Sequence, residues 1–267
     1  MNQLRVLSLG WGVQSWTLAA MAALGEIEPI DYAVHADTTF EMSGTYDHAA
    51  SWTPWLEDRG VKVVTVKAEP EPSPIQQGTG AVMMPAYTLN KDGTPTPIRR
   101  QCTNRWKIQP IRRFIRSHLT GKPQPNSVEL IMGISWDESY RMKDPNVKYI
   151  KHVYPLIDKR MKRMHCIQWL QEHELTVPPK STCTFCPYHS IDQWKQLKST
   201  GDDNWNRAVA VDEIIRSARK TAKTENLFIH KYCLPLAEAV NVPEDFGAKQ
   251  LGFANEDLTC DSGFCFT

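Results

Sequence analysis

The chain has no run of about eighteen apolar residues, the length a membrane-spanning helix requires. Its first residues pass into a strand-like pattern at Leu4 with no charged and apolar leader. A cytoplasmic protein with no membrane partner is therefore expected. Excess charge of one sign is also lacking. The 31 Lys and Arg stand against 30 Asp and Glu, a net charge of +1, so a polyanion must be met by local clustering rather than by the overall field. Internal repeats and low-complexity tracts are absent. Complete phosphate-loop signatures are missing too: no Gly-Lys-Ser/Thr follows the first strand, and Ser15 stands where G-x-G-x-x-G would have its last glycine. Seven cysteines, an odd number in 267 residues, argue against a disulfide framework and for thiols or metal ligands.

With 41% hydrophobic residues, the chain can bury one substantial α/β core and an appendage. Strand patterns cover Leu4 to Leu9, Asp31 to Ala36 and Val61 to Ala68. Helical patterns lie between them. The first runs from Val13 to Leu24; the second, "TYDHAASWTPWLEDRG", turns Trp52, Trp55 and Leu56 toward a core and stops at Gly60. Such alternation predicts βαβ units in a mostly parallel, doubly wound, Rossmann-like sheet, with ligands at the carboxyl ends of its strands. We place this nucleotide-binding domain at residues 1–165. A smaller helical and irregular part carrying cysteines follows over 166–267. From Glu69 to Pro97 the composition reads as a long loop or lid. A basic segment from Arg99 to Arg116 follows it, and a fourth strand, "VELIM", runs into a polar turn holding Ser135, Glu138 and Arg141.

Two groups of residues carry chemistry. In "VLSLGWGVQSW", the turn between first strand and first helix presents unpaired N–H groups and the positive end of the helix dipole, which suit phosphate. Gly10 and Gly12 permit close approach, and Ser15 adds a hydroxyl. The second group is Cys183 and Cys186, a C-x-x-C able to chelate zinc or an iron–sulfur centre or to act as a redox dithiol. Cys102 upstream and Cys260 and Cys265 in the tail are further thiols. Cys166 ("MHCIQWL") and Cys233 ("IHKYCLPL") sit in apolar contexts and are expected in the core.

The order of these motifs resembles the phosphoadenosine phosphosulfate (PAPS) reductase branch of the adenine nucleotide α-hydrolase, or PP-loop, superfamily. "GWGVQS" is similar to a divergent PP-loop. "DTTFE" after the second strand, "CTNRWKIQP", "GISWDESYR" and Tyr154-Pro155-Leu156 before the C-x-x-C follow the branch's order over about residues 4 to 198. The resemblance implies an adenine nucleotide, ATP or a relative, bound with Mg²⁺ by Ser8, Gly10, Gly12, Val13, Gln14, Ser15, Asp37, Thr38, Gly133, Glu138 and Arg141. It implies catalytic roles for Lys107, Arg141, Cys260 and Cys265.

Iron–sulfur members of the branch carry Cys-Cys before the C-x-x-C. Here Gln101-Cys102 stands in that place, so Cys102, Cys183 and Cys186 match three ligands of a [4Fe-4S] cluster, with Cys260 or Cys265 as the fourth or one iron open. The activity implied is an ATP-using sulfurtransferase that adenylates and thiolates an acceptor, with nucleic acid held by the Arg99–Arg116 segment and a sulfur donor as second partner. An oxidoreductase acting on adenylyl sulfate (APS) or PAPS with an electron donor is the alternative. A binding module built around zinc is the non-enzymatic one.

Overall fold

A computed structural model describes residues 3–76, 80–98, 101–217 and 226–243. In chain order the elements are β1 (Leu4–Ser8), α1 (Val13–Ala23), β2 (Tyr32–Asp37), α2 (Ser43–Glu57), β3 (Val63–Lys67), β4 (Tyr87–Leu89) and β5 (Pro95–Pro97). A π-helical turn, Thr103–Ile108, leads into α3 (Gln109–Ser117), then β6 (Val128–Ile131), a 3₁₀ turn (Trp136–Arg141), β7 (Ile150–Val153), α4 (Pro155–Asp158) and α5 (Arg163–Glu172). Three helices close the described chain: α6 (Ile191–Thr200), α7 (Asp203–Ser217) and α8 (Leu236–Ala239). The chain forms two compact units, one of residues 3–70 with 105–182 and the other of 71–104 with 183–243, counting described residues.

The first unit is an α/β Rossmann-like fold. Its five strands are all parallel, in the order β3-β2-β1-β6-β7. Strand residues alternate between two buried faces, which explains their near-continuous apolar character. Leu7, Ala33 and Ile131 face a core shared with Trp16 and Leu18 of α1, Leu56 of α2, and Cys166 and Leu170 of α5. Val6, Val34 and Leu130 face the opposite way, against Ile111 and Ile115 of α3. α1 is buried at every position from Val13 to Met21, as a helix at the centre of such a layer must be. Residues 166–182, grouped with the C-terminal part in the sequence reading, pack with this unit, and Cys166 is fully buried in its core.

β7 went unread in the sequence because Lys151 and His152 interrupt its apolar pattern. In α3, Pro110, Ile111 and Ile115 turn inward while Arg113 and Arg116 are exposed; the arginine run is thus the outer side of an amphipathic helix.

In the second unit, the segment read as loop or lid contains a short antiparallel pair, β4 with β5. Prolines at both ends of β5 suit an edge strand but hide it from a periodicity reading. Tyr87 of β4 also bridges to Phe228, and α7 packs on α6 and α8. Asp212, 1% exposed, ties this unit together by accepting from the Ile229 and Leu236 N–H groups and from Arg216.

Candidate nucleotide site

In the first unit the chain leaves β1 toward β2 and later returns to the other side of β1 through β6, so the strand order reverses between β1 and β6. A crevice at the carboxyl ends of the strands, at such a switch point, is where doubly wound sheets bind ligands. The glycine turn lies there. Leu9 extends the β1 ladder through its N–H to the Val34 carbonyl (2.9 Å); the chain then turns through Gly10, Trp11 and Gly12 into α1.

Gly12 caps α1 without a side-chain hydrogen bond, leaving Val13, Gln14 and Ser15 with the orphan N–H groups of a first helical turn. The turn is braced from both ends. The Gly10 N–H donates to Ser15 Oγ (3.1 Å), and Ser181 Oγ donates to the Gly10 carbonyl (2.5 Å). Gly133, just beyond β6, abuts this helical turn so closely that a Cβ there would lie 2.8 Å from Ser15 N. Trp11, where the PP-loop pattern has glycine, adopts the left-handed region (φ 56°). A bulky residue there is strained by about 1–3 kcal/mol. Its indole, 1% exposed, offsets that by packing against Trp16 and His48.

A network continues from the turn. Gln14 donates to Glu138 (3.2 Å) and accepts from Arg163 (3.0 Å); Arg141 Nη1 donates to the same Glu138 oxygen (2.6 Å). Burial raises the Glu138 pKa despite the Arg141 guanidinium beside it. Gln14, Glu138 and Arg141, separated in sequence, are thereby brought together at the first turn of α1.

Asp37 and Thr38, at and just past the end of β2, are tied into the protein's own hydrogen bonds. Asp37 accepts from the Thr39 N–H (2.7 Å) and the Tyr46 hydroxyl (2.8 Å), with Lys67 at 3.5 Å. Burial pushes its carboxyl up, but the Thr39 and Tyr46 hydrogen bonds and the His35 and Lys67 charges outweigh it, and the pKa is lowered. This holds a tight turn that presents Glu41, 1% exposed. Thr38 Oγ1 donates to Glu41 Oε1 (3.2 Å), which also pairs with Lys107 Nζ (3.2 Å).

Glu41 and Lys107 line a cavity of ≈ 70 Å³ open to the centre of a water molecule, bounded by Ser8 to Gly10, the end of β2 and α3. His35 also lines it, with Nδ1 3.0 Å from the Leu9 carbonyl; burial lowers its pKa from the usual imidazole value. His35, Arg163 and Ser181 line or brace this candidate site without having been singled out in the sequence, and Glu41 was noted there only as the last residue of "DTTFE". Glu41 and His35 had a usable signal, since each is a polar residue at or just past the carboxyl end of β2.

The candidate metal ligands Cys102, Cys183 and Cys186 all belong to the second unit and are partly exposed. The C-x-x-C forms a turn in which the Cys186 N–H donates to the Cys183 carbonyl (3.1 Å) and His189 Nε2 lies 3.0 Å from that carbonyl. Among the described residues no three His, Cys, Asp or Glu side chains are placed to share a metal ion. Cys260 and Cys265, and Arg99 and Arg100 of the basic segment, lie outside the described residues. Cys233 is 5% exposed, and burial pushes its thiol up to about 12, as it does for Cys166; both are core thiols. Among the described residues no helix is long and apolar enough to cross a membrane.

No family model matches the sequence, and no curated protein does. Among solved structures, the chain is similar to a phosphoadenylyl-sulfate (PAPS) reductase from Candida auris, with 10% identity over 67% of this chain and 75% of that one and a TM-score of 0.41. It is also similar to the U34-tRNA thiolase NcsA from Methanococcus maripaludis, solved with its [4Fe-4S] cluster. That comparison has 15% identity over 80% of this chain and 71% of that one, with a TM-score of 0.44.

Proposed function

We propose that this chain is a PP-loop enzyme of the PAPS reductase-like type that binds ATP in the first unit and uses it to activate an acceptor for thiolation. The observation that carries the reading is the switch-point turn: Gly10 to Ser15 offers helix N-terminal N–H groups, and Gly133 leaves no side chain over them. The β- and γ-phosphates rest on this turn. Arg141, reached through Gln14 and Glu138, supplies positive charge as pyrophosphate leaves; Lys107, paired with Glu41, lines the neighbouring cavity. In the chemical step an acceptor carbonyl-type oxygen attacks the α-phosphorus, a P–O bond forms, the α–β anhydride bond breaks, and pyrophosphate departs; Mg²⁺ bound to the nucleotide would offset the charge on that leaving group. Sulfide-level sulfur from a donor then displaces AMP.

Thiolate donors of the type that hold [4Fe-4S] clusters are available at Cys102, Cys183 and Cys186. The described residues do not by themselves compose that centre, and the adenylation half of the reaction depends on the first unit alone. The exposed side of α3, with Arg113 and Arg116, is the proposed seat of nucleic acid phosphates.

The test is pyrophosphate and AMP release from ATP, measured anaerobically with an RNA acceptor and a sulfide source. Release matched by sulfur incorporation supports the reading. Sulfite release from APS or PAPS with no ATP turnover would replace it with sulfonucleotide reduction.

A further inference from the structure

We propose that Glu41 selects the nucleobase, its second carboxylate oxygen accepting from an exocyclic amino group held in the cavity on the α3 face of the sheet. The inference deepens the nucleotide reading and rests on it. Glu41 Oε1 is engaged by Thr38 and Lys107, both at 3.2 Å. Oε2 is buried with no hydrogen-bond partner among the described residues. A buried carboxylate oxygen without a donor is costly, and a ligand N–H relieves that cost. Glu41 is one of the residues that line the cavity.

The rest of the cavity suits a flat, largely apolar ring. Ile108 and Ile111 come from the α3 side, and Leu130 and Met132 from the end of β6. Lys107, paired with Glu41, and Arg112 also line the cavity, and the first turn of α1 offers donors for phosphate. Ser8 to Gly10 line the same cavity, so one ligand can place a base against Glu41 and its phosphates at the turn. A base with an amino group at the reading edge, as in adenine, donates to Oε2. A base with a carbonyl there, as in hypoxanthine, sets lone pair against lone pair.

The measurement is equilibrium binding of ATP and of inosine triphosphate (ITP) to the full chain with Mg²⁺. ATP should bind at least ~10-fold tighter, the scale of one hydrogen bond to a charged group. In Glu41→Gln the amide can turn its N–H toward the carbonyl, and the ATP to ITP ratio should fall about tenfold or invert. A wild-type protein that binds both within twofold overturns base selection while leaving the nucleotide reading intact. A Glu41→Gln variant that weakens both equally also overturns it, by giving Glu41 a purely structural role. Failure of the wild type to bind either nucleotide overturns the nucleotide reading, and this inference with it. The wild-type ratio needs no variant, so a poorly folding Gln protein does not remove the test.

Discussion

Gly133→Ala is the sharpest perturbation of the proposed phosphate cradle. The added Cβ would lie 2.8 Å from Ser15 N, 2.9 Å from Ser15 Cα and 3.1 Å from Ser15 Cβ, whereas ordinary contact begins at 3.4 Å. Relief therefore requires the end of β6 and the first turn of α1 to part by about half an ångström or more. Both are backbone of buried elements, so no flexible side chain can absorb the shift. Overpacking of this kind costs about 1–3 kcal/mol, and at about 2–4 °C per kcal/mol for a chain of this size the melting temperature should fall by about 2–12 °C. ATP affinity should fall at least ~10-fold, because the displaced turn carries the phosphate donors. Gly12→Ala is the internal control: its Cβ meets Ser181 Cβ at an ordinary 3.6 Å and its φ is −84°, so melting should change by less than about 2 °C. Thermal unfolding and isothermal titration on both variants decide the matter. A Gly133→Ala protein with wild-type melting and ATP affinity refutes the close approach on which the site is built.

Three further outcomes follow from the structure. Burial lowers the His48 pKa to about 4 from an unfolded value near 6.5, so the stability it contributes is present above pH 6.5 and lost as pH falls toward 4, by about 3 kcal/mol at most. Urea unfolding at pH 7 and 4.5 should show wild type losing more stability than His48→Leu; parallel losses would contradict this. Cys166 and Cys233, buried thiols raised to about 12, should resist iodoacetamide in the native protein at pH 8 while the partly exposed Cys102, Cys183 and Cys186 react in metal-free protein. Peptide mass spectrometry reads the pattern, and native labelling of Cys166 would overturn its placement. Charge reversal of Arg113 and Arg116 should weaken RNA binding and lower the slope of log K against log salt by up to about 2; an unchanged slope removes α3 as the nucleic acid surface.

The parallel sheet was legible because its signals are local. Val6–Leu7, Ala33–Val34 and Leu130–Ile131 are apolar on both faces, and glycine turns punctuate the helices between them. The turn after β1 was legible for the same reason. β7 and the β4–β5 pair were not, because Lys151 and His152 in one and prolines in the other erase periodicity. The roles within the site depended on tertiary placement. Asp37, read as a nucleotide-binding residue, has its oxygens bonded to Thr39, Tyr46 and Lys67, and Glu41, quoted in the same motif, lines the cavity. Gln14, Glu138, Arg141 and Arg163 meet only because β6 and α5 return to α1. No spacing within the chain encodes that meeting.

A crystal structure of the full chain with a non-hydrolysable ATP analogue and Mg²⁺ tests the phosphate turn directly. Phosphate oxygens should lie within hydrogen-bond distance of the N–H groups between Trp11 and Ser15, with the base in the cavity lined by Glu41, Ile111 and Leu130. Nucleotide density elsewhere on the protein, with the Gly10 to Ser15 turn unliganded, would contradict this placement.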